Sequence, residues 1–77
     1  VIFLNDSITT MEFVIRVLKQ IFGKNQEQAE NITRRIHDDG QGIVGSYVHE
    51  VAEQKGIETT LAARQENFPL QVKVKKQ

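Results

Sequence analysis

The chain opens on an uninterrupted apolar run, Val1-Ile2-Phe3-Leu4, the pattern of a strand covered on both faces rather than of one with a wet side. Asn5, Asp6 and Ser7 then favour a turn, because their side chains hydrogen-bond to nearby backbone. From Thr10 to Phe22 the period becomes helical: Met11, Val14, Leu18 and Ile21 recur on one stripe, which Phe13, Val17 and Phe22 widen. Thr9 lies at capping-box spacing before Glu12 and is the expected helix cap, and Gly23 is the expected stop. Asn25 with Gln28 caps a second helix whose narrow apolar face is Ala29, Ile32 and Ile36, and Gly40 ends it just past Asp39.

Beyond the Gly40-Gln41-Gly42 punctuation, the β-branched and aromatic residues of Ile43–Val48 predict a strand, with Gly45 marking a bulge or a close backbone approach. His49 to Gln65 reads as a third helix without a good cap, interrupted by Gly56. Val51, Ala52, Thr59, Ala62 and Ala63 give it a small-residue packing face, and Ile57 and Leu61 fall on the opposite, solvent side. Asn67 to Pro69 break the helix. Leu70, Val72 and Val74 then alternate with Gln71, Lys73 and Lys75, the period of a half-buried strand. The order β-α-α-β-α-β predicts an α+β fold, a small three-stranded antiparallel sheet packed against three helices.

At 77 residues, one small domain spanning positions 1–77 is expected. Ten basic and ten acidic residues cancel, which argues against a nucleic-acid partner. Lys73, Lys75 and Lys76 form the one basic cluster, which on an edge strand serves solubility and blocks edge-to-edge pairing. The absence of cysteine fits a reducing cytoplasm, and no stretch is apolar and long enough to span a membrane.

The candidate chemistry sits in the first turn. A rigid turn displaying Asn5 and Asp6 beside the apolar Met11 and Val14 suits a ligand that is cationic at one point and greasy next to it. Taken alone, the same two residues serve equally well to close the turn. His37, alone, suits a helix end, where the macrodipole favours a positive imidazole. A metal or acid-base site built from His37, Asp38, Asp39 and His49 is disfavoured, because adjacent aspartates on a helix diverge and no nucleophile motif or phosphate loop is present; no enzyme activity and no cofactor are expected.

The run Val1 to Asp6, then Thr9, then Met11-Glu12-Phe13-Val14, resembles the core of ClpS, the adaptor that hands N-degron substrates to an AAA+ protease. The likeness continues through His37 ahead of the Gly40 turn, Gly45, Glu50-Val51-Ala52-Glu53 with Lys55, and Pro69-Leu70. It implies a single ClpS-like core domain, in which Asn5, Asp6 and His37 bind the substrate's terminal amine. It also implies a side-chain pocket walled by Ile8, Thr9, Met11, Val14, Thr33, Ile36 and Leu70, and docking on a ClpA-type unfoldase through Glu50 and Lys55. A free α-ammonium asks for convergent acceptors, so the amine set is chemically coherent.

The chain departs from the family pattern at Ser7, where an acidic residue is common, at Thr10, where proline often opens the helix, and at Thr33, where a larger apolar residue usually lines the pocket. The third departure bears on substrate preference. A divergent second copy of the adaptor fits this pattern. The competing expectation is an interaction module built like the C-terminal domains of ribosomal stalk proteins, which would bind through a helix face and ignore terminal amines.

Overall fold

The computed structural model describes residues 1–75, so Lys76 of the basic cluster lies outside the described residues. Along the chain the elements are β1 (Ile2–Leu4), α1 (Met11–Gln20), α2 (Gln26–Asp39), β2 (Gln41–Ile43), α3 (His49–Gln65) and β3 (Gln71–Lys73). This is the expected α+β order. The most apolar segment takes the middle of the sheet: β1 pairs antiparallel with both others, in the order β2-β1-β3. Phe3 stands opposite Gly42 on one side and Val72 on the other and is fully buried, packing edge-on against Phe22 at 5.6 Å. Ile2 and Leu4, on the other face, are only half-buried. The expectation of a strand covered on both faces therefore holds for Phe3 alone, because all the helical cover lies on its side.

Helix α1 begins one residue later than its capping pattern suggests. Thr9 is not the cap: its N–H and its hydroxyl both go to the Asp6 carboxylate, which holds Thr9 in the turn. Thr10 caps instead, its hydroxyl oxygen accepting the Phe13 N–H at 3.1 Å. The buried face is Phe13, Val14, Val17 and Leu18, whereas Met11, expected on the apolar stripe, is 47% exposed. The helix ends at Gln20, short of the expected Phe22, and Gly23 turns the chain at φ 66°. Helix α2 follows the sequence closely. Asn25 and Gln28 exchange the reciprocal bonds of a capping box, and Gly40 ends the helix at φ 84°, where a side chain would be strained.

The second strand is where expectation and structure part. Residues Ile43 to Val48 were expected in the ladder, but β2 is Gln41–Ile43. Pairing starts directly after Gly40 because Asn5 N–H donates to the Gly40 carbonyl at 2.9 Å, which sets the register, and Val44 N–H donates to the Val1 carbonyl at 2.8 Å. The β-branched and aromatic residues beyond it serve the core instead: Val44 is buried, and Tyr47 lies against Phe22 and over Gly45, where a Cβ would meet the ring at 2.8 Å.

Helix α3 has the expected bounds and, at Val48, no side-chain cap. Its inner face is Ala52, Gly56, Thr59 and Ala63; Val51, expected there, is exposed because it lies a quarter turn off that line. Gly56 has a reason to be glycine, since a Cβ there would meet Val74 at 3.3 Å and push α3 off β3. Leu70 is buried at the start of β3, and Phe68 packs on Phe13 at 5.1 Å.

The tightest seam is between α2 and β2, where a Cβ at Gly42 would stand 2.7 Å from the buried Ile36 Cγ1. Gly42→Ala is expected to destabilise the fold by about 1–3 kcal/mol through overpacking. Urea unfolding would show this as a lower midpoint at unchanged slope; an unchanged midpoint would mean that α2 can move off the sheet at little cost.

Candidate amine-binding and side-chain site

The turn after β1 is built around one carboxylate. Asp6 Oδ1 accepts the backbone N–H groups of Ile8 at 2.8 Å and Thr9 at 2.6 Å, and Oδ2 accepts the Thr9 hydroxyl at 2.8 Å. Burial by itself would raise the Asp6 pKa. The Thr9 and Ile8 N–H groups, the Thr9 hydroxyl and the Arg64 guanidinium outweigh it and hold the carboxyl below the ordinary value, so Asp6 is anionic at neutral pH. Turn closure, the plainer of the two roles open to Asp6, is thus real. It leaves the negative charge in place and does not exhaust the carboxylate's lone pairs.

The Asn5 amide bond to Gly40 ties this turn to the C-terminus of α2, and His37 is exposed on the last turn of that helix, three residues before Gly40. Asn5 is likewise exposed. Two segments far apart in sequence therefore meet at one seam, which brings the backbone of the Asn5–Asp6 turn to the C-terminus of α2, on whose last turn His37 lies. That end favours a cation.

The residues expected to wall a side-chain pocket divide by depth. Ile8 at 60% and Met11 at 47% exposure are surface residues beside the turn, and Thr9 is half-buried. Val14, Thr33, Ile36 and Leu70 are buried, three of them within the hydrophobic core. Thr33 satisfies its hydroxyl on the Ala29 carbonyl at 2.7 Å, one turn back, so it enters the interior without an unpaired polar atom. Thr33 and His37 are one turn apart on α2, and Met11 and Val14 one turn apart on α1, so each pair shares a helix face.

The docking candidates behave differently from each other. Glu50 is exposed in the first turn of α3. Lys55 is not the ordinary solvated charge its sequence context suggests: it is half-buried, donates from Nζ to the Ile21 carbonyl at 2.8 Å, and sits over the rings of Tyr47 at 5.2 Å and Phe22 at 5.7 Å. It thereby satisfies a carbonyl at the end of α1 and clamps α3 to it. Arg64 likewise donates to the carbonyls of Phe68 and Leu70 and fixes the entry to β3. Neither role has a sequence signal: the Lys55 acceptor lies 34 residues away, and the Arg64 acceptors, four and six residues on, face it only because the chain turns back after α3. Among the described residues no group of three or more His, Asp or Glu side chains is placed to hold a metal ion, and His49 faces Glu53 at 2.8 Å instead.

The chain as a whole has known relatives. A family model for "ATP-dependent Clp protease adaptor protein ClpS" matches residues 1–73. The ATP-dependent Clp protease adapter protein ClpS of Treponema denticola is 49% identical over 76 residues, covering 99% of this chain and 75% of the relative. The adapter of the same name from Campylobacter jejuni is 47% identical over 77 residues, covering 100% of this chain and 80% of the relative. In fold, the chain is similar to Agrobacterium tumefaciens ClpS2 bound to L-phenylalaninamide, with a TM-score of 0.88 and 31% identity over 91% of this chain and 84% of that one. With the family pattern running from the central strand through β3, and with relatives that are adapters rather than enzymes, the chain belongs to the ClpS family of Clp protease adaptors.

Proposed function

We propose that this adaptor, a single ClpS-like core domain working in the cytoplasm, binds the free, bulky hydrophobic N-terminal residue of N-degron substrates and delivers them to a ClpA-type AAA+ unfoldase. The observation that carries this reading is the Asn5 backbone bond to Gly40, which joins the turn bearing Asn5 and Asp6 to the last turn of α2, where His37 lies. A peptide's α-ammonium is a cation with several N–H donors. Asp6 supplies the charge, the Asn5 side-chain amide the orientation, and the His37 ring a nitrogen partner. Asp38 and Asp39, poorly matched to the α2 dipole by themselves, add negative potential around the same point. L-phenylalaninamide, the ligand of the similar ClpS2, offers the same pairing of a free amine and an aromatic side chain.

The side chain would rest between Ile8, Thr9 and Met11 at the lip and Val14, Thr33, Ile36 and Leu70 at the floor. Burying a large apolar side chain is worth about 1.5–3 kcal/mol, and each charge-assisted hydrogen bond about 1.5–3 kcal/mol, against an association cost of about 4 kcal/mol or more. With one such bond from each of three partners the balance is about 2–8 kcal/mol, whose upper end is near micromolar affinity and suits an adaptor that must release its cargo.

Acetylating the peptide amine is expected to abolish binding, measured by fluorescence anisotropy with peptides beginning in phenylalanine or leucine. Lowering the pH through the depressed Asp6 pKa should weaken binding of the free peptide, because the carboxyl that faces the ammonium is then discharged. His37→Ala should weaken binding by loss of a ring-nitrogen partner. Asp6→Asn, which keeps an acceptor for the turn, should cost more affinity than Asn5→Ala. Equal affinity for acetylated and free peptides would end this reading in favour of an interaction module blind to N-termini.

Thr33→Met should shrink the floor and favour peptides beginning in leucine over those beginning in tyrosine or tryptophan. Unshifted relative affinities in a variant that still melts cooperatively would remove Thr33 from the pocket.

Glu50 and Lys55 are assigned to unfoldase docking. Because Lys55 also holds the Ile21 carbonyl, Glu50→Arg is the cleaner probe. It should reduce ClpA-dependent degradation of an N-degron reporter at unchanged peptide affinity, and normal delivery would cancel the assignment.

A further inference from the structure

The outer edge of β3 is a second place where the fold presents ordered but unpaired binding capacity. Its outward backbone groups follow from the register. Val44 N–H to Val1 and Asn5 N–H to Gly40 mark the hydrogen-bonded positions between β1 and β2, and these alternate along an antiparallel ladder, so Phe3 also turns its backbone groups toward β2. Ile2 and Leu4 consequently turn theirs toward Lys73 and Gln71 of β3. The N–H and C=O of Val72, between those two, point away from the sheet. The carbonyl of Leu70 points the same way and is taken by Arg64 at 3.2 Å, in keeping with this parity.

Beside that edge runs a groove of about 540 Å³ between α3 and β3, lined by Gly56, Ile57, Leu61, Val72 and Val74 among others. Ile57 and Leu61 are 55% and 60% exposed and lie one turn apart on α3, forming an apolar ridge along the groove they line. The helix-facing side chains of an added strand would pack on this ridge and on Val72. Its other side chains would lie on the open face of the sheet, next to the exposed Lys73 and Lys75. Glu53, an acid at the Val74 end of the groove, is engaged by His49.

We propose that the outer edge of β3, together with the Ile57–Leu61 ridge, docks an extended segment of a partner protein in which apolar residues alternate with acidic ones. The backbone supplies affinity, the ridge reads the apolar positions, and the lysines read the acidic ones. Those lysines also decide against a second copy of this chain. Pairing β3 antiparallel with itself gathers Lys73 and Lys75 of both copies on one face with no acid among them, which costs charge repulsion that an acidic segment would relieve.

The test uses an N-acetylated, C-amidated peptide of alternating valine and glutamate, which offers no amine to the Asn5–Asp6–His37 seam, so its outcome is independent of N-terminal recognition. It should bind about tenfold or more tightly than the matching valine–lysine peptide, with the difference shrinking as salt is raised. On binding, the Val72 amide should become protected from hydrogen exchange. Leu61→Glu should weaken binding by about tenfold, corresponding to loss of one apolar contact and gain of a like charge. The double substitution K73E and K75E should reverse the preference to the lysine peptide. Both variants change exposed side chains and are expected to keep the parent melting temperature. Equal binding of the two peptides, an unprotected Val72 amide, or a concentration-dependent dimer that protects Val72 without any peptide would each overturn the proposal, the last by making a second copy the occupant.

Discussion

The hydrogen bond from the Asn5 amide to the Gly40 carbonyl is the constraint on which the sheet, the helix layer and the candidate site all depend. It joins the exit of the central strand to the exit of α2, and so fixes the β1–β2 register with Phe3 opposite Gly42. That register sets Gly42 under Ile36, where there is no room for a side chain, and the same bond holds the first turn against the last turn of α2. Gly40 makes it possible by adopting a left-handed conformation, which lets the helix carbonyls end and the strand begin without a loop.

Asp6 carries two duties that reinforce each other. Accepting the Ile8 and Thr9 N–H groups and the Thr9 hydroxyl rigidifies the turn, and the same bonds lower its pKa and keep it charged. A group whose folded-state pKa is depressed contributes stability that is present above its unfolded value and is lost as pH falls through the folded one. Acid therefore loosens the turn and discharges the candidate amine site together. The coupling leaves the Asp6 carboxylate both fixed and charged in the unliganded chain.

Helix α3 shows how one element serves several surfaces. Its inner line of Ala52, Gly56, Thr59 and Ala63 allows close approach to β3, and Thr59, fully buried, returns its hydroxyl to the Lys55 carbonyl. Lys55 reaches sideways to α1, where a cation over two aromatic rings and on a carbonyl replaces the apolar packing a small domain of this size cannot spare. Its outer line carries Glu50, Ile57 and Leu61 to solvent.

The sequence by itself determined the order of elements, the α2 capping box and its Gly40 stop, the bounds of α3, and the outward placement of Ile57 and Leu61. Each of these rests on periodicity or on bonds between residues a few positions apart, and such signals survive in a linear reading. The residues of the candidate amine set could be named from their resemblance to a family, and Asp6 from its turn chemistry, but the joining of their turn to the end of α2 could not. That depends on a bond between positions 5 and 40. The hand-over of the cap from Thr9 to Thr10 is local too: two sequence-near patterns competed for Thr9, and the Asp6 carboxylate took it. The tertiary structure alone decided two further points. The strand slid back to Gln41–Ile43, because the short β1 offers partners only there and Val44 and Tyr47 fill the core instead of extending a ladder. Lys55 was drawn onto the Ile21 carbonyl, 34 residues away in the chain. In both, long-range packing and hydrogen-bond satisfaction overrode local propensity.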